Sequence, residues 1–386
     1  MKVLKLIFKN ALRHKLRTFL TIIGITIAVI AFGLLRTVVT IWDSSVDATM
    51  ADRLITRQAV SFIFPLPYAY YEKIKNVSGV KEVTFANWFQ GVYKDKDNFF
   101  ARLAVNQETF FDVYTEFLIS EEELSVFKKE RNACVIGEAI AKQYNIKIGD
   151  MMVLDGDIYP GRWEFVVRGI YKPKNKNTDA TQMLFHWSYV DERMRMEDPI
   201  RAGDVGWYIV KIDDPNRSAE ISEQIDALFK NSPAETKTET EKAFAQGFVS
   251  ASGAIITAMN FLSFVIIGVI MLVLANTMIM SARERTKEYA VLKTLGFSSK
   301  HLTGLIVGES MMISLIGGGT GIILTYPIVA AFEEAIPKGF FPFFYIEPIT
   351  TIYALSAVLI IGLLASLFPL QRALKTSIIE GFRFVG

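Results

Sequence analysis

One stretch of the sequence puts carboxylates, cations and leucines at spacings that let them act together: Ser281-Ala282-Arg283-Glu284-Arg285-Thr286-Lys287-Glu288-Tyr289-Ala290-Val291-Leu292-Lys293-Thr294-Leu295-Gly296-Phe297-Ser298-Ser299-Lys300-His301. Glu284, Lys287 and Glu288 share a helical face, and Leu292 and Leu295 follow at i+4 and i+7 from Glu288. The chemistry this offers is recognition by ion pairs and apolar contact, with no bond made or broken. Gly296 fits a left-handed helix stop, and Ser298 or Ser299 fits the N-cap of a following helix. A basic loop serving topology alone would not need a capped helix with leucines on it. The form suits docking of a partner.

Other chemistry is sparse. Gly317-Gly318-Gly319-Thr320-Gly321 has no lysine to make a phosphate-binding loop and lies inside an apolar block. Gly317 and Gly321 form a GxxxG pair, which lets helices approach closely. The sequence contains no GxSxG, HExxH or CxxC, so no catalytic or metal-binding residue is assigned. His14, His186 and His301 are scattered. Cys134, the only cysteine, excludes an intrachain disulfide and reads as a core residue in an apolar strand. Glu309 is the one acid inside an apolar block. Such a residue is a functional candidate by default, and the plainer alternative is an interfacial carboxyl bonded to a neighbouring helix.

These residues are positioned by long apolar elements. The composition is 51% hydrophobic, and the apolar residues gather at 18–41, 254–280, 302–330 and 350–370. At 1.5 Å per residue each block crosses about 30 Å of hydrocarbon. The first is too long for a signal peptide, has no small-residue cleavage site and runs into Trp42-Asp43, so it reads as a retained anchor.

Lys and Arg near the ends of the blocks set the orientation. They cluster before the first (Lys2, Lys5, Lys9, Arg13, Lys15, Arg17), between the second and third (Arg283, Arg285, Lys287, Lys293, Lys300) and after the fourth (Arg372, Lys375, Arg383). The third-to-fourth connection carries Glu333, Glu334 and Glu347 against Lys338. Both termini are therefore expected in the cytoplasm and residues 50–245 outside. The formal net charge of +2 gives no sign of a nucleic-acid partner.

The fold class expected is membrane α-helical, with four transmembrane helices and a large α+β extracytoplasmic domain inserted between the first and second. In the insert, residues 81–93, 99–105, 132–136, 151–154, 163–171 and 206–212 read as strands, and 68–75 and 218–229 as helices. Glu121-Glu122-Glu123 reads as a solvated helix start. Tyr68, Tyr70, Tyr71, Trp88, Phe89, Phe99 and Phe100 read as core, with an apolar ligand surface as the alternative. The remaining divisions are a cytoplasmic N-terminal amphipathic segment (1–17), a cytoplasmic coupling helix (281–301) and a cytoplasmic tail (371–386).

The 281–301 stretch resembles the E-R-x-x-E-[IY]-[GA]-[VI]-L-K-[AT]-L-G signature of the FtsX-like, or MacB-like, permeases of ABC transporters. Residues 11–25 resemble that family's entry into its first span. Val135-Ile136-Gly137-Glu138-Ala139-Ile140-Ala141, Ile148-Gly149-Asp150 and Val167-Arg168-Gly169-Ile170 are similar to its extracytoplasmic signature. Pro369-Leu370-Gln371-Arg372-Ala373 and Ser377-Ile378-Ile379-Glu380-Gly381 resemble its tail, and Glu309 ahead of the glycine cluster fits its third span. Tyr289 and Phe297 depart from the commoner smaller or aliphatic residues.

The resemblance implies a transporter subunit without its own nucleotide-binding domain, ATP and Mg being held by a partner ATPase. Glu284, Glu288, Leu292, Lys293, Leu295 and Gly296 would form the ATPase-coupling element, and hydrolysis would move the outer domain by mechanotransmission. The cargo would be a lipoprotein, peptide, antibiotic or lipid, exported or extracted at a bacterial cytoplasmic (inner) membrane. A cytoplasmic ABC ATPase, a second permease copy or paralogue, membrane lipid and a periplasmic adaptor are the partners implied, and no nucleic acid. An ATP-driven regulator of a cell-wall hydrolase and an ATP-independent membrane sensor are the alternatives.

Overall fold

The computed structural model describes residues 2–47, 49–335 and 344–375 and separates into two compact units. Lys338, Arg383 and the 377–381 stretch lie outside the described residues.

The membrane unit falls within residues 1–41, 253–332 and 344–386. Among the described residues four helices are long and apolar enough to cross a bilayer: Lys15–Ile41 (part of Lys15–Asp47), Gly253–Glu284, Ser299–Ala335 and Pro348–Lys375. They are the first to fourth spans below. In lipid every backbone N–H and C=O must be satisfied within the segment, so uninterrupted apolar runs become helices. A helix at Lys2–Ala11 precedes the first span, and a short one at Thr286–Thr294 joins the second to the third.

Small and hydroxylated residues set the contacts between spans. A Cβ on Gly317 would stand 2.9 Å from the Ile25 Cβ and 3.0 Å from the Ile22 carbonyl. One on Gly321 would stand 2.7 Å from the Val29 Cβ and 3.0 Å from the Thr26 carbonyl. Only glycine lets the first and third spans lie this close. Thr26 Oγ1 then donates to the Gly317 carbonyl at 3.0 Å. The third span is bound to the fourth in the same manner, Ser310 and Ser314 donating at 2.7 Å to the carbonyls of Gly362 and Val358. Thr21 and Thr277 join the first span to the second at 2.9 Å.

The inserted unit is built on a mixed sheet. Its strands are β1 (Arg53–Gln58), β2 (Leu66–Pro67), β3 (Val80–Trp88), β4 (Ala101–Val105), β5 (Phe117–Leu118), β6 (Ala133–Gly137), β7 (Met151–Gly156), β8 (Gly161–Pro173), β9 (Gln182–His186), β10 (Asp204–Val205), β11 (Trp207–Ile212) and β12 (Thr236–Thr240). The order is β12-β1-β11-β3-β4-β9-β6-β8-β5, with β7 also on β8, while β2 and β10 pair separately. The β4–β9 and β6–β8 ladders are parallel and the others antiparallel.

Successive side chains alternate between faces, and both faces are covered. Leu54, Phe85, Phe185 and Tyr208 enter one core with Phe89, Trp163 and Phe165. Their neighbours Ile55, Ala86, Leu184 and Ile209 enter the other with Phe110, Phe117 and Phe127. Tyr70, Tyr71, Phe89, Phe100 and Cys134 are buried, whereas Tyr68 and Trp88 keep 42% and 37% exposure, so most of these aromatics are core. Glu121–Lys129 is a helix, and Ser120 caps it by accepting from the Glu123 N–H.

Candidate functional site

The Gly253–Glu284 helix carries Arg283 and Glu284 in its last turn, breaks at Arg285, and resumes as Thr286–Thr294. The break aims the Arg285 side chain inward. Its Nη1 donates to Glu309 Oε2 at 2.7 Å and its Nε to Glu288 Oε2 at 3.1 Å. Ser281 Oγ donates to the other Glu309 oxygen at 3.1 Å. The Arg285 and Glu309 side chains are 7% and 5% exposed, so one buried ion pair ties the short helix to the third span. Glu309 thus accepts from the second span and from the break that follows it.

Glu284 and Glu288 meet the base of the first span. Arg17 grips Glu284 with two parallel bonds of 3.0 and 3.1 Å, and His14 Nε2 lies 2.9 Å from the same carboxylate. Arg13 pairs with Glu288. Two cations four residues apart thus match two acids four residues apart on a chain running the other way. Burial alone would push the Glu288 carboxyl up, but hydrogen bonds from Arg13 and Arg285 outweigh it and hold the group below the ordinary carboxylate range. Burial pushes the Tyr289 phenol up to about 12, with the Arg285 charge opposing it.

The far end of the short helix is tied to the fourth span. Lys293 Nζ donates to the carbonyls of Ala373 and Leu374 at 3.0 and 3.1 Å, near a helix C-terminus whose free carbonyls favour a cation. Leu292 packs against the membrane unit's core. Gly296 has φ +85°, and the Phe297 and Gly296 N–H groups return to the carbonyls of Leu292 and Lys293, a Schellman stop. Around this stop the surface turns apolar and open: Val291 in the last turns is 43% exposed, Leu295 at the helix end 70% and Phe297 just past the glycine 45%.

Of the residues singled out from sequence, Glu284, Glu288, Lys293 and Glu309 therefore have partners within the chain. Leu292 is packed, Gly296 forms the turn, and Leu295 is exposed. Gly317 and Gly321 face the first span. Arg285, Ser281, Arg13, His14 and Arg17 were not singled out. The matching four-residue spacing of the two arginines and the two glutamates was the available signal.

Two family profiles match the chain. The profile of the MacB-like periplasmic core domain matches residues 18–228, and that of the FtsX-like permease C-terminal matches residues 260–378. The chain belongs to the MacB/FtsX family of ABC transporter permeases. This permease is 24% identical to an uncharacterized ABC transporter permease of Methanocaldococcus jannaschii, over 97% of this chain and 96% of that one. It is 23% identical to a macrolide export ATP-binding/permease protein MacB of a Shewanella species, over 94% of this chain but only 57% of that protein's length. Among solved structures it is similar to the periplasmic region of MacB from Actinobacillus actinomycetemcomitans, 14% identical, covering 51% of this permease and 92% of that chain at a TM-score of 0.37. It is a multi-pass membrane protein with an α/β domain between its first two spans.

Proposed function

We propose that this permease is driven by an ATPase on a separate chain, which docks on the open tip of the short helix at Val291, Leu295 and Phe297. The carrying observation is the contrast at that helix. Its polar side is bound to the bases of the first, third and fourth spans, while its exposed end is apolar and held by a rigid turn. A push on the tip would reach all three spans together. Glu284, Glu288 and Lys293 then hold the lever in place, and Leu295 with Gly296 presents it. ATP and Mg belong to the partner.

The distribution of Lys and Arg supports placing both termini in the cytoplasm of a bacterial cell, with the protein in the inner membrane and the inserted domain outside. There, motion of the spans would act on a lipoprotein, peptide, antibiotic or lipid, for export or extraction. A second permease copy or paralogue would complete the pair that a dimeric ATPase engages, and a periplasmic adaptor would extend the route.

Purification of the tagged full-length chain from its native membrane in mild detergent tests this. A stoichiometric ATPase is expected with the wild type, and its loss is expected when Leu295→Asp and Phe297→Asp are combined. Both side chains are open to solvent, so the variant should insert normally. A clean preparation without any ATPase would favour a sensor. An ATPase retained by the double variant would move the docking surface elsewhere.

A further inference from the structure

The sheet face that carries Ile55 and Ile209 is not completely filled. A cleft of about 560 Å³ lies within the inserted unit. Ile55, Leu103 and Ile209 line it from the sheet, and Phe244 and Phe248 from the Glu241–Ala251 helix. Phe110, Phe117 and Trp207 complete an aromatic surround. Space of this size, mostly apolar with a few placed polar groups, is typical of a small-molecule site.

Beside the neutral Thr49, Gln182 and Ser252, the lining holds one acid. Glu241 lines the cleft, and both of its described hydrogen bonds fall on Oε2, from Arg53 Nε at 2.8 Å and from the Met50 N–H at 3.1 Å. Arg53 is buried and also meets Glu116 at 2.7 Å. Within this trio two carboxylates face one guanidinium, so the trio carries an excess negative charge when both are ionised. Burial pushes the Glu241 carboxyl above its ordinary value, and Arg53 offsets that only in part. A cation arriving from the cleft side would offset more. The aromatic wall already accepts one: the Arg53 guanidinium carbon stands 4.4 Å from the centroid of Tyr114, another residue of the lining.

We propose that this cleft binds a hydrophobic organic cation, its apolar body among Phe110, Phe117, Trp207, Phe244 and Phe248 and its charged centre toward Glu241. Aromatic faces attract cations and shield them from water, and a carboxylate at the end selects the sign of the charge. A neutral acyl chain would gain from the walls but not from Glu241. An organic anion would be repelled. The site needs no ATP to fill, so its failure would leave the coupling proposal standing, and the reverse also holds.

The test uses the full-length chain in nanodiscs, with empty nanodiscs as background, in equilibrium dialysis against tetraphenylphosphonium and tetraphenylborate. These ions are nearly equal in size and opposite in charge. Saturable binding of the phosphonium, one per chain, is expected, with none of the borate. Glu241→Gln should weaken the phosphonium on the order of tenfold. Phe248 is 56% exposed at the rim, so Phe248→Ala should fold normally and weaken it too. Equal saturable binding of both ions would mean a charge-blind apolar cleft and overturn the proposal. So would absence of saturable phosphonium binding, or phosphonium binding unchanged in both variants.

Discussion

Arg53 and Arg285 are both buried, and each lies between two glutamates, Glu116 and Glu241 for the first, Glu288 and Glu309 for the second. Their surroundings separate them. At the short helix, Glu288 also has Arg13 and Glu309 also has Ser281, so the carboxylates are shared out among several donors. In the inserted unit Glu241 opens onto an aromatic cleft. One arrangement locks helices together, and the other leaves room for a visitor. Identical residue types thus serve rigidity or binding according to what stands around them.

The cores differ as sharply. Trp163, Phe165 and Phe185 are fully buried in the inserted unit, whereas the contacts of the third span rest on Ser310, Ser314, Gly317 and Gly318. Water expels large apolar groups and so rewards filling a core with rings. Lipid tails are as apolar as leucine, so association there depends on close approach and hydrogen bonds.

The largest effect that would break this comparison comes from Arg285→Met, which strands Glu309 without its charged partner. It should cost about 3–5 kcal/mol, read as an earlier transition when the full chain is titrated with a denaturing detergent. Adding Glu309→Leu should recover most of that. A single variant as stable as wild type would mean the buried pair holds nothing.

Gly317→Leu comes next. Its side chain would meet the first span's backbone as well as Ile25, so a loss of about 1–3 kcal/mol is expected from overpacking. Unchanged stability would contradict the close first-to-third contact. The smallest effect is Ser314→Ala. Removal of one interhelical hydrogen bond should cost only about 0.6 kcal/mol in the same titration, and a loss several times larger would show that hydroxyls, more than glycines, carry the packing.

Much of this was legible in the sequence because lipid leaves few choices: four apolar runs had to be helices, and glycines four apart had to be a close contact. Alternation likewise revealed β3, β8 and β11. It could not reveal β12, Thr-Lys-Thr-Glu-Thr, whose two inward residues, Thr236 and Thr238, carry hydroxyls. Thr238 bonds to Thr56 at 2.9 Å and to Asp226 at 2.7 Å, a core contact with no apolar signature. β1 was hidden for a related reason, since it begins with an arginine that is buried by its ion pairs. At the short helix, Arg13 and Arg17 looked like topology charges alone. Their partners lie 275 and 267 residues away, and a spacing match over that distance has meaning only once the first and second spans are known to be neighbours.

The short helix acts as a lever because Glu288 within it and Glu284 just ahead of it are clamped to the base of the first span. ATP hydrolysis by the purified permease–ATPase complex tests it through the two-bond contact of Arg17 with Glu284. Arg17→Glu and Glu284→Arg should each uncouple hydrolysis, returning the rate to that of the free ATPase while the complex still co-purifies. The two combined should restore the coupled rate. Single variants that hydrolyse ATP like the wild type, or a double variant no better than either, would contradict the lever.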